Sequence, residues 1–177
     1  MRLVSAPRAW VVKVAGKADV DPAVTQLGGH MNESQRRAFR DKLERYVRKP
    51  DRDLIIAVSN VAVRGFYCVI EELPTSDAFA DGVAEALRQF ASCTGLLVDS
   101  RHRRQGIGAS LVRRGEQWSE ERGRAGLWLV THRAASWYER HFGYEDLATV
   151  QVKGVARTLM SRRFARSQQA TAPALPP

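Results

Sequence analysis

The fold is decided by one stretch of sequence, Gly95-Leu96-Leu97-Val98-Asp99-Ser100-Arg101-His102-Arg103-Arg104-Gln105-Gly106-Ile107-Gly108. It begins with an apolar, strand-like run, and its end opens a helix-like run from Ile107 to Arg122. In such a turn the first backbone N–H groups of the helix lack partners, and the helix dipole favours an anion there. The glycines allow close approach of a ligand, and the arginines add charged donors. The stretch therefore predicts a pyrophosphate-binding site.

Length and composition indicate one globular domain. The chain has 177 residues, of which 44% are hydrophobic and 27% charged, as in folded proteins of ordinary size. We expect a single domain over residues 1–166 and a disordered tail at 167–177. No apolar run approaches the roughly 20 residues that cross a bilayer, and residues 1–8 lack the apolar core of a secretory signal. We therefore expect a cytoplasmic protein without membrane contact.

The two cysteines, Cys68 and Cys93, lie in apolar runs. Two such residues provide neither a disulfide framework nor the spacing of a metal site. We expect buried free thiols and no bound metal.

The net charge of +9 raises nucleic acid as a possible partner. The basic residues are spread over three segments, 36–48, 101–124 and 153–166. They lack the interleaved aromatic residues that stack on bases, so nucleic acid is the less favoured partner.

The order of predicted elements favours an α+β fold with a mixed sheet, because a meander of strands precedes strands that alternate with helices. Strand-like runs occupy 10–14, 54–58, 65–70, 94–98, 127–130, 149–152 and 156–160. Helix-like runs occupy 19–27, 32–47, 78–91, 107–122 and 134–141, with Asn32 or Ser34 as the cap of the second helix.

Two motifs in this order carry a resemblance to a known family. Arg103-x-x-Gly106-x-Gly108 is followed, about thirty residues later, by Trp137-Tyr138-Glu139-Arg140-His141-Phe142-Gly143-Tyr144. Together they resemble the GNAT superfamily of acyl-CoA-dependent N-acetyltransferases, over residues 8–164. The resemblance implies a mainly antiparallel sheet of six or seven strands, flanked by helices, in which strands four and five splay apart around the pantetheine arm.

The resemblance also implies acetyl-CoA as co-substrate and a set of residues that bind it. The backbone of Leu96, Leu97 and Val98 would bind the pantetheine amides. The pyrophosphate would be bound by Arg103, Arg104, Gln105, Gly106, Ile107, Gly108, Ala109 and Ser110. Thr131 stands where many relatives carry an asparagine that contacts the coenzyme.

Tyr138 is the candidate catalytic residue, placed by the resemblance near the thioester sulfur. A phenol is protonated at neutral pH and can donate a proton to a leaving thiolate. The competing interpretation is an aromatic residue that packs in the core beside Trp137. The position where many relatives carry a glutamate base is occupied by Thr94, so the base stays open among Glu71, Glu72, His30 and His132.

The candidate acceptor residues are His30, Glu71 and Glu72. Residues 65–87 contain no Lys or Arg but contain Glu71, Glu72, Asp77, Asp81 and Glu85. Such a segment would attract a cationic amine, although a solvated helix face is the slightly favoured interpretation.

These observations lead us to expect an N-acetyltransferase that transfers acetyl from acetyl-CoA to a primary amine of a small molecule, by direct attack in a ternary complex. The alternatives are a protein or peptide amine, an aminoacyl-tRNA, or a catalytically idle acyl-CoA-binding domain. A homodimer is a further possibility.

Overall fold

The computed structural model describes residues 10–60, 62–72, 79 and 82–165. Within these ranges one sheet has the strand order β1-β2-β3-β4-β5-β7-β6. Its strands are β1 (Val11–Val14), β2 (Arg52–Ser59), β3 (Ala62–Ile70), β4 (Phe90–Val98), β5 (Gly126–Thr131), β6 (Glu145–Val152) and β7 (Val155–Arg163). The helices are α1 (Val20–Leu27), α2 (Glu33–Arg48), α3 (Val83–Leu87), α4 (Ile107–Glu121) and α5 (Ala135–Phe142). Only the β4–β5 pair is parallel among the strand pairs described. The predicted α+β fold with a mainly antiparallel sheet is confirmed.

The central strands are buried on both faces, because helices cover each side of the sheet. On β2, Leu54 and Ile56 pack with α1 and α2, whereas Ile55 and Ala57 pack with α4. This alternation is the period of two that a strand imposes. Helix α4 approaches the sheet closely at Gly115, where a Cβ would overlap the ring of Tyr67.

Helix α2 begins at Asn32 with a reciprocal cap. The Asn32 Oδ1 accepts the Gln35 N–H at 2.9 Å, and the Gln35 Oε1 accepts the Asn32 N–H at 3.0 Å. Such a capping box satisfies two backbone donors at the helix start. Of the two caps proposed from the sequence, the structure selects Asn32.

The predicted helix at 78–91 is wrong at its C-terminal end. The described part of this segment contains only the short helix α3, and Phe90 already begins β4. Residues 90–93 pair with β5, with Phe90 opposite Gly126, and Phe90 and Ala91 are buried. The spacing of Leu87 and Phe90 fits a helix, but the pairing of Phe90 and Ala91 with β5 outweighs it. Residues 73–78, 80 and 81 lie outside the described residues.

Cys68 and Cys93 are free and buried, as predicted, and burial raises the pKa of their thiols to about 12 and about 11. The expected tail at 167–177 lies outside the described residues. Among the helices that the structure describes, none has the length and apolarity to span a membrane.

Candidate active site

β4 and β5 pair along only part of their length. Their last register pair is Cys93 with Leu129. Beyond it, β3 holds β4 as far as Val98, and β7 holds β5 as far as Thr131. The two strands therefore diverge, and a gap opens between them. The expected splay of the fourth and fifth strands is confirmed.

A β-bulge lies where the gap begins. β3 pairs Cys68 with Gly95 and Val69 with Cys93, so Thr94 is an extra residue in β4. The Thr94 Oγ1 shares a hydrogen bond with the Tyr46 hydroxyl, and the Lys42 Nζ donates to the Thr94 carbonyl at 3.2 Å. A bulge bends a strand and increases its local twist. Helix α2 thus holds the bend that directs β4 away from β5.

A cavity of about 640 Å³ lies between the end of β4 and the turn before α4. We call it the turn-side cavity. Its lining consists of Leu96, Leu97, Val98, His102, Arg103, Arg104, Gly106, Ile107, Gly108, Ala109, Ala134, Trp137 and His141.

The N-terminus of α4 faces this cavity. Gly106 precedes the helix with φ +84°, a left-handed conformation that favours glycine. The Ser110 N–H donates to the Gly106 carbonyl at 3.0 Å, and this bond is the first of the helix. The N–H groups of Ile107 and Gly108 therefore precede the helical ladder, and Gly106 supplies no side-chain cap. Such a helix end binds anions.

Asp99 shapes the chain between β4 and this helix. Its carboxylate accepts the Arg101 N–H at 3.1 Å and contacts the Nδ1 of His102 at 3.2 Å. Hydrogen bonds from the Arg101 side chain are the main reason that the pKa of Asp99 falls to about 2. Arg101 is therefore engaged by Asp99, whereas Arg103 and Arg104 form no ion pair within the described residues. These two guanidinium groups leave the turn with uncompensated positive charge.

A second cavity of about 530 Å³ occupies the gap itself, and we call it the gap cavity. Its lining consists of Cys93, Thr94, Gly95, Leu96, Trp128, Leu129, Val130, Thr131, His132, Ala134, Tyr138, Val152 and Arg157. Leu96 and Ala134 line both cavities. The two cavities therefore adjoin each other across the gap.

Tyr138 combines a packed ring with a place in the gap cavity. Its ring centroid lies 4.9 Å from that of Trp137 and 5.3 Å from that of Tyr144, and the residue is 5% exposed. Burial, with a smaller contribution from Cys93, raises the pKa of its phenol far above the ordinary value. The hydroxyl is therefore protonated at neutral pH, as a proton donor must be.

Comparison with protein families now adds to this geometry. The sequence model described as "Acetyltransferase (GNAT) family" matches residues 25–144. This chain belongs to the GNAT acetyltransferase family. No curated protein matches the chain.

Solved structures share the GNAT fold at low sequence identity. An aminoglycoside 6'-N-acetyltransferase complexed with coenzyme A has a TM-score of 0.65 at 16% identity, covering 86% of this chain and 96% of that one. A ribosomal-protein-alanine N-acetyltransferase from Brucella melitensis has a TM-score of 0.60 at 18% identity, covering 87% of this chain and 99% of that one. Ard1 from Thermoplasma volcanium has a TM-score of 0.63 at 16% identity, covering 89% of this chain and 99% of that one.

Most of the residues predicted to bind coenzyme A lie together in this GNAT chain. The turn-side cavity is lined by Leu96, Leu97, Val98, Arg103, Arg104, Gly106, Ile107, Gly108 and Ala109, and Gln105 is exposed within the same turn.

Two members of the predicted coenzyme set lie elsewhere. Ser110 lines another cavity together with Trp10 and Val12, and its N–H is bonded to the Gly106 carbonyl, so its contact with the coenzyme stays a prediction. Thr131 lines the gap cavity, and its Oγ1 accepts the Ala134 N–H at 3.1 Å.

The candidate bases are dispersed. His132 lines the gap cavity with Tyr138. His30 lines a third cavity of about 290 Å³, which shares Leu97, Val98 and Arg103 with the turn-side cavity. Only His132, of the four candidates, therefore shares a cavity with Tyr138.

Glu71 and Glu72 do not reach the gap. They follow Ile70, which pairs with Ser92 near the start of β4, the end opposite Val98. The Glu71 carboxylate forms ion pairs with Arg122, at 3.0 Å, and with Arg124. Neither residue is among those described as lining the gap cavity, and their contact with the acceptor stays a prediction.

The described part of the acidic segment contacts one lining residue of the gap cavity, through the ring of Phe79. The ring of Phe79 meets that of Trp128 edge-on at 5.5 Å, and Trp128 lines the cavity. Glu85 is paired with Arg88. Asp77 and Asp81 lie outside the described residues.

Several lining residues were not predicted as site residues, and three of them carry an aromatic or charged side chain that bears on the site. Trp137 and His141 line the turn-side cavity, and Arg157 lines the gap cavity. The available signal for Arg157 is its spacing of two from Leu159, which is fully buried on the same strand. Such spacing places both side chains on one face.

Proposed function

We propose that this protein transfers an acetyl group from acetyl-CoA to a primary amine, by direct attack while both substrates are bound. The observation that carries the proposal is the contact of the two cavities at Leu96 and Ala134. One cavity has the anion-binding end of a helix, and the other has Tyr138. A donor and an acceptor bound in adjoining cavities can meet at the gap.

The residues present fit coenzyme A. The N-terminus of α4, with Arg103 and Arg104, would bind the pyrophosphate. On the side that faces the gap, the edge of β4 beyond Cys93 has lost its partner strand, so backbone groups of Leu96 to Val98 would bind the pantetheine amides as a strand would. The fold shared with a coenzyme A complex supports this placement.

The chemistry requires two proton movements. Acetyl-CoA supplies an activated acyl group, and the amine attacks it only as the free base, although alkylammonium groups have a pKa of about 10. His132 would accept the amine proton, directly or through water, from within the gap cavity. The Tyr138 hydroxyl would donate a proton to the sulfur as the C–S bond breaks and the C–N bond forms.

Direct attack is favoured over a covalent acyl-enzyme by the state of the cysteines. A thiol reacts as its thiolate, and burial raises the pKa of Cys93, which lines the gap cavity, to about 11. The Cys93 thiol is therefore protonated at neutral pH and is a weak nucleophile.

The acceptor is proposed to be a small molecule. A peptide or protein amine is the second candidate, which a solved neighbour named as a ribosomal-protein-alanine N-acetyltransferase supports at the level of fold.

The decisive experiment measures thiol release and acetylated product with acetyl-CoA against a panel of amines, including amino acids, polyamines, aminoglycosides and peptides. We expect turnover with intersecting initial-rate plots, as for a ternary complex, whereas parallel plots would indicate an acyl-enzyme. Binding of coenzyme A without turnover of any amine would indicate an idle binding domain. Acetylation confined to aminoacyl-tRNA and steeply weakened by salt would indicate the nucleic-acid alternative.

A further inference from the structure

The gap cavity contains a charged group that the transfer reaction does not use. We propose that Arg157 binds a carboxylate of the acceptor, so that the acceptor is a small amino acid and not a simple amine. This inference rests on the proposed function and specifies the substrate class of that site.

Arg157 lies on β7 opposite Val150 and lines the gap cavity. It is partly buried, and its Nε is buried without a hydrogen-bond partner among the described residues. An unpaired buried donor carries a desolvation cost. Because the Nε is enclosed by protein atoms, a carboxylate in the cavity would bind the terminal guanidinium nitrogens, which are not among the buried unpaired atoms.

Most partly buried arginines in the described part of the chain have carboxylate partners, whereas Arg64 and Arg157 form no ion pair there. Arg162 pairs with Glu116 at 2.7 Å, and Arg124 pairs with Glu71. Arg157 forms no ion pair within the described residues, although it belongs to the same sheet as Arg162. Arg64 is not among the residues described as lining the gap cavity, so Arg157 is the unpaired arginine of that lining.

The charges around the gap cavity favour an anionic ligand. Among its described lining residues the titratable side chains are Cys93, His132, Tyr138 and Arg157, and there is no Asp or Glu. An amine without an acidic group would bring further positive charge next to Arg157. A carboxylate would neutralise the guanidinium group, whose planar fork matches it.

The same cavity limits the remainder of the acceptor. Trp128, Val130 and Val152 line it and belong with an apolar cluster that includes Leu159. A small amino acid with an apolar side chain fits these walls. Its carboxylate would lie at Arg157 and its amine toward Tyr138 and His132.

The test compares three acceptors that share a side chain: leucine, leucinamide and isopentylamine, with the corresponding phenylalanine series as a repeat. We expect kcat/KM for the amino acid to exceed that for its amide by about tenfold or more, as for a charged hydrogen bond. Differences in amine pKa cannot produce this order. The carboxamide of leucinamide withdraws electrons more strongly than the carboxylate of leucine, so a larger fraction of leucinamide carries the reactive, unprotonated amine.

Arg157→Gln should lower kcat/KM for leucine about ten- to a hundredfold, mainly through KM, and leave isopentylamine within about threefold. Arg157→Lys should retain part of the preference, because it keeps the charge without the fork. The matched control is Arg163→Gln on the same strand, an exposed residue whose guanidinium group lies over the ring of Phe90. Binding of coenzyme A and the melting temperature establish that each variant is folded.

The outcomes separate this inference from the function on which it rests. Equal use of leucine, leucinamide and isopentylamine would overturn the carboxylate site and leave the acetyltransferase function intact, as would an equal loss for all three in Arg157→Gln. Turnover of other amines but of no amino acid would do the same. Failure to acetylate any amine would overturn both.

Discussion

The ring centroids of Tyr138 and Tyr144 lie 5.3 Å apart, yet Tyr138 lines the gap cavity and Tyr144 is not among its lining residues. Both phenols are buried, at 5% and 1% exposure. Their pKa values are both raised by burial. The pair therefore provides two similar tyrosines, of which one faces the proposed reaction and the other packs in the core.

Tyr138→Phe should lower kcat by about tenfold or more, because a positioned general acid contributes at least that much. The affinity for coenzyme A should be retained, since the described lining of the turn-side cavity does not include Tyr138. Single-turnover kinetics and calorimetric titration with coenzyme A measure the two quantities separately.

Tyr144→Phe is the matched control and should leave kcat within about twofold. An unchanged kcat in Tyr138→Phe would refute the acid role. Equal losses in both variants would indicate that the aromatic cluster, and not the Tyr138 hydroxyl, determines the rate.

Gly106→Ala tests the turn before α4. At φ +84° an alanine costs about 1–2 kcal/mol, and no atom lies within 4 Å of the added Cβ, so the effect is conformational. If the free turn relaxes and must be restored for binding, the affinity for coenzyme A falls about five- to thirtyfold.

Gly123→Ala provides the control at the other end of the same helix. Gly123 has φ +68° and equally open surroundings. Its variant should lose similar stability in a denaturant melt but bind coenzyme A with unchanged affinity. Equal affinity losses in both variants would show that the turn before α4 has no particular role in binding the pyrophosphate.

Local patterns predicted the elements around the coenzyme more accurately than those around the acceptor. The turn at 103–108 and the start of α4 depend on neighbouring residues, so their chemistry is readable from the sequence. The splay of β4 and β5 was expected only through the family resemblance. Its physical basis is the bulge at Thr94, which depends on Tyr46 and Lys42 in a distant helix.

The acceptor side depends on long-range pairing. Arg157 reaches the gap cavity because β7 lies beside β5, with Thr131 opposite Thr158, and the sequence does not reveal that neighbour. Glu71 was expected at the acceptor because it belongs to an acidic segment without Lys or Arg, which would attract a cationic amine. The antiparallel register instead places it near the end of α4, beside Arg122.

The tyrosines predict the alkaline behaviour of the protein. Burial raises the pKa of all four, Tyr46 to about 12 and Tyr67, Tyr138 and Tyr144 also upward. A raised folded-state pKa stabilises the fold fully below the unfolded value of about 10, and this contribution is lost as the pH rises toward the folded values.

Tyrosinate absorbance should therefore be absent from the folded protein at about pH 10. At higher pH it should appear together with loss of the circular dichroism signal. A gradual titration with a midpoint near the ordinary value, in protein that keeps its native spectrum, would show that the phenols are accessible.

Glu71→Gln tests whether Glu71 contributes to the acceptor site. Glu71 bridges Arg122 and Arg124, and all three side chains are between 24% and 30% exposed, so loss of the charge should destabilise the fold by about 1 kcal/mol. That corresponds to a fall in melting temperature of about 2–4 °C for a domain of this size. The kcat and the KM for the acceptor should not change, because Glu71 is not among the residues described as lining the gap cavity.

Glu72→Gln, at the exposed neighbouring residue, should alter neither stability nor kinetics. If Glu71→Gln raises the KM for the acceptor and leaves the KM for acetyl-CoA unchanged, Glu71 contributes to acceptor binding.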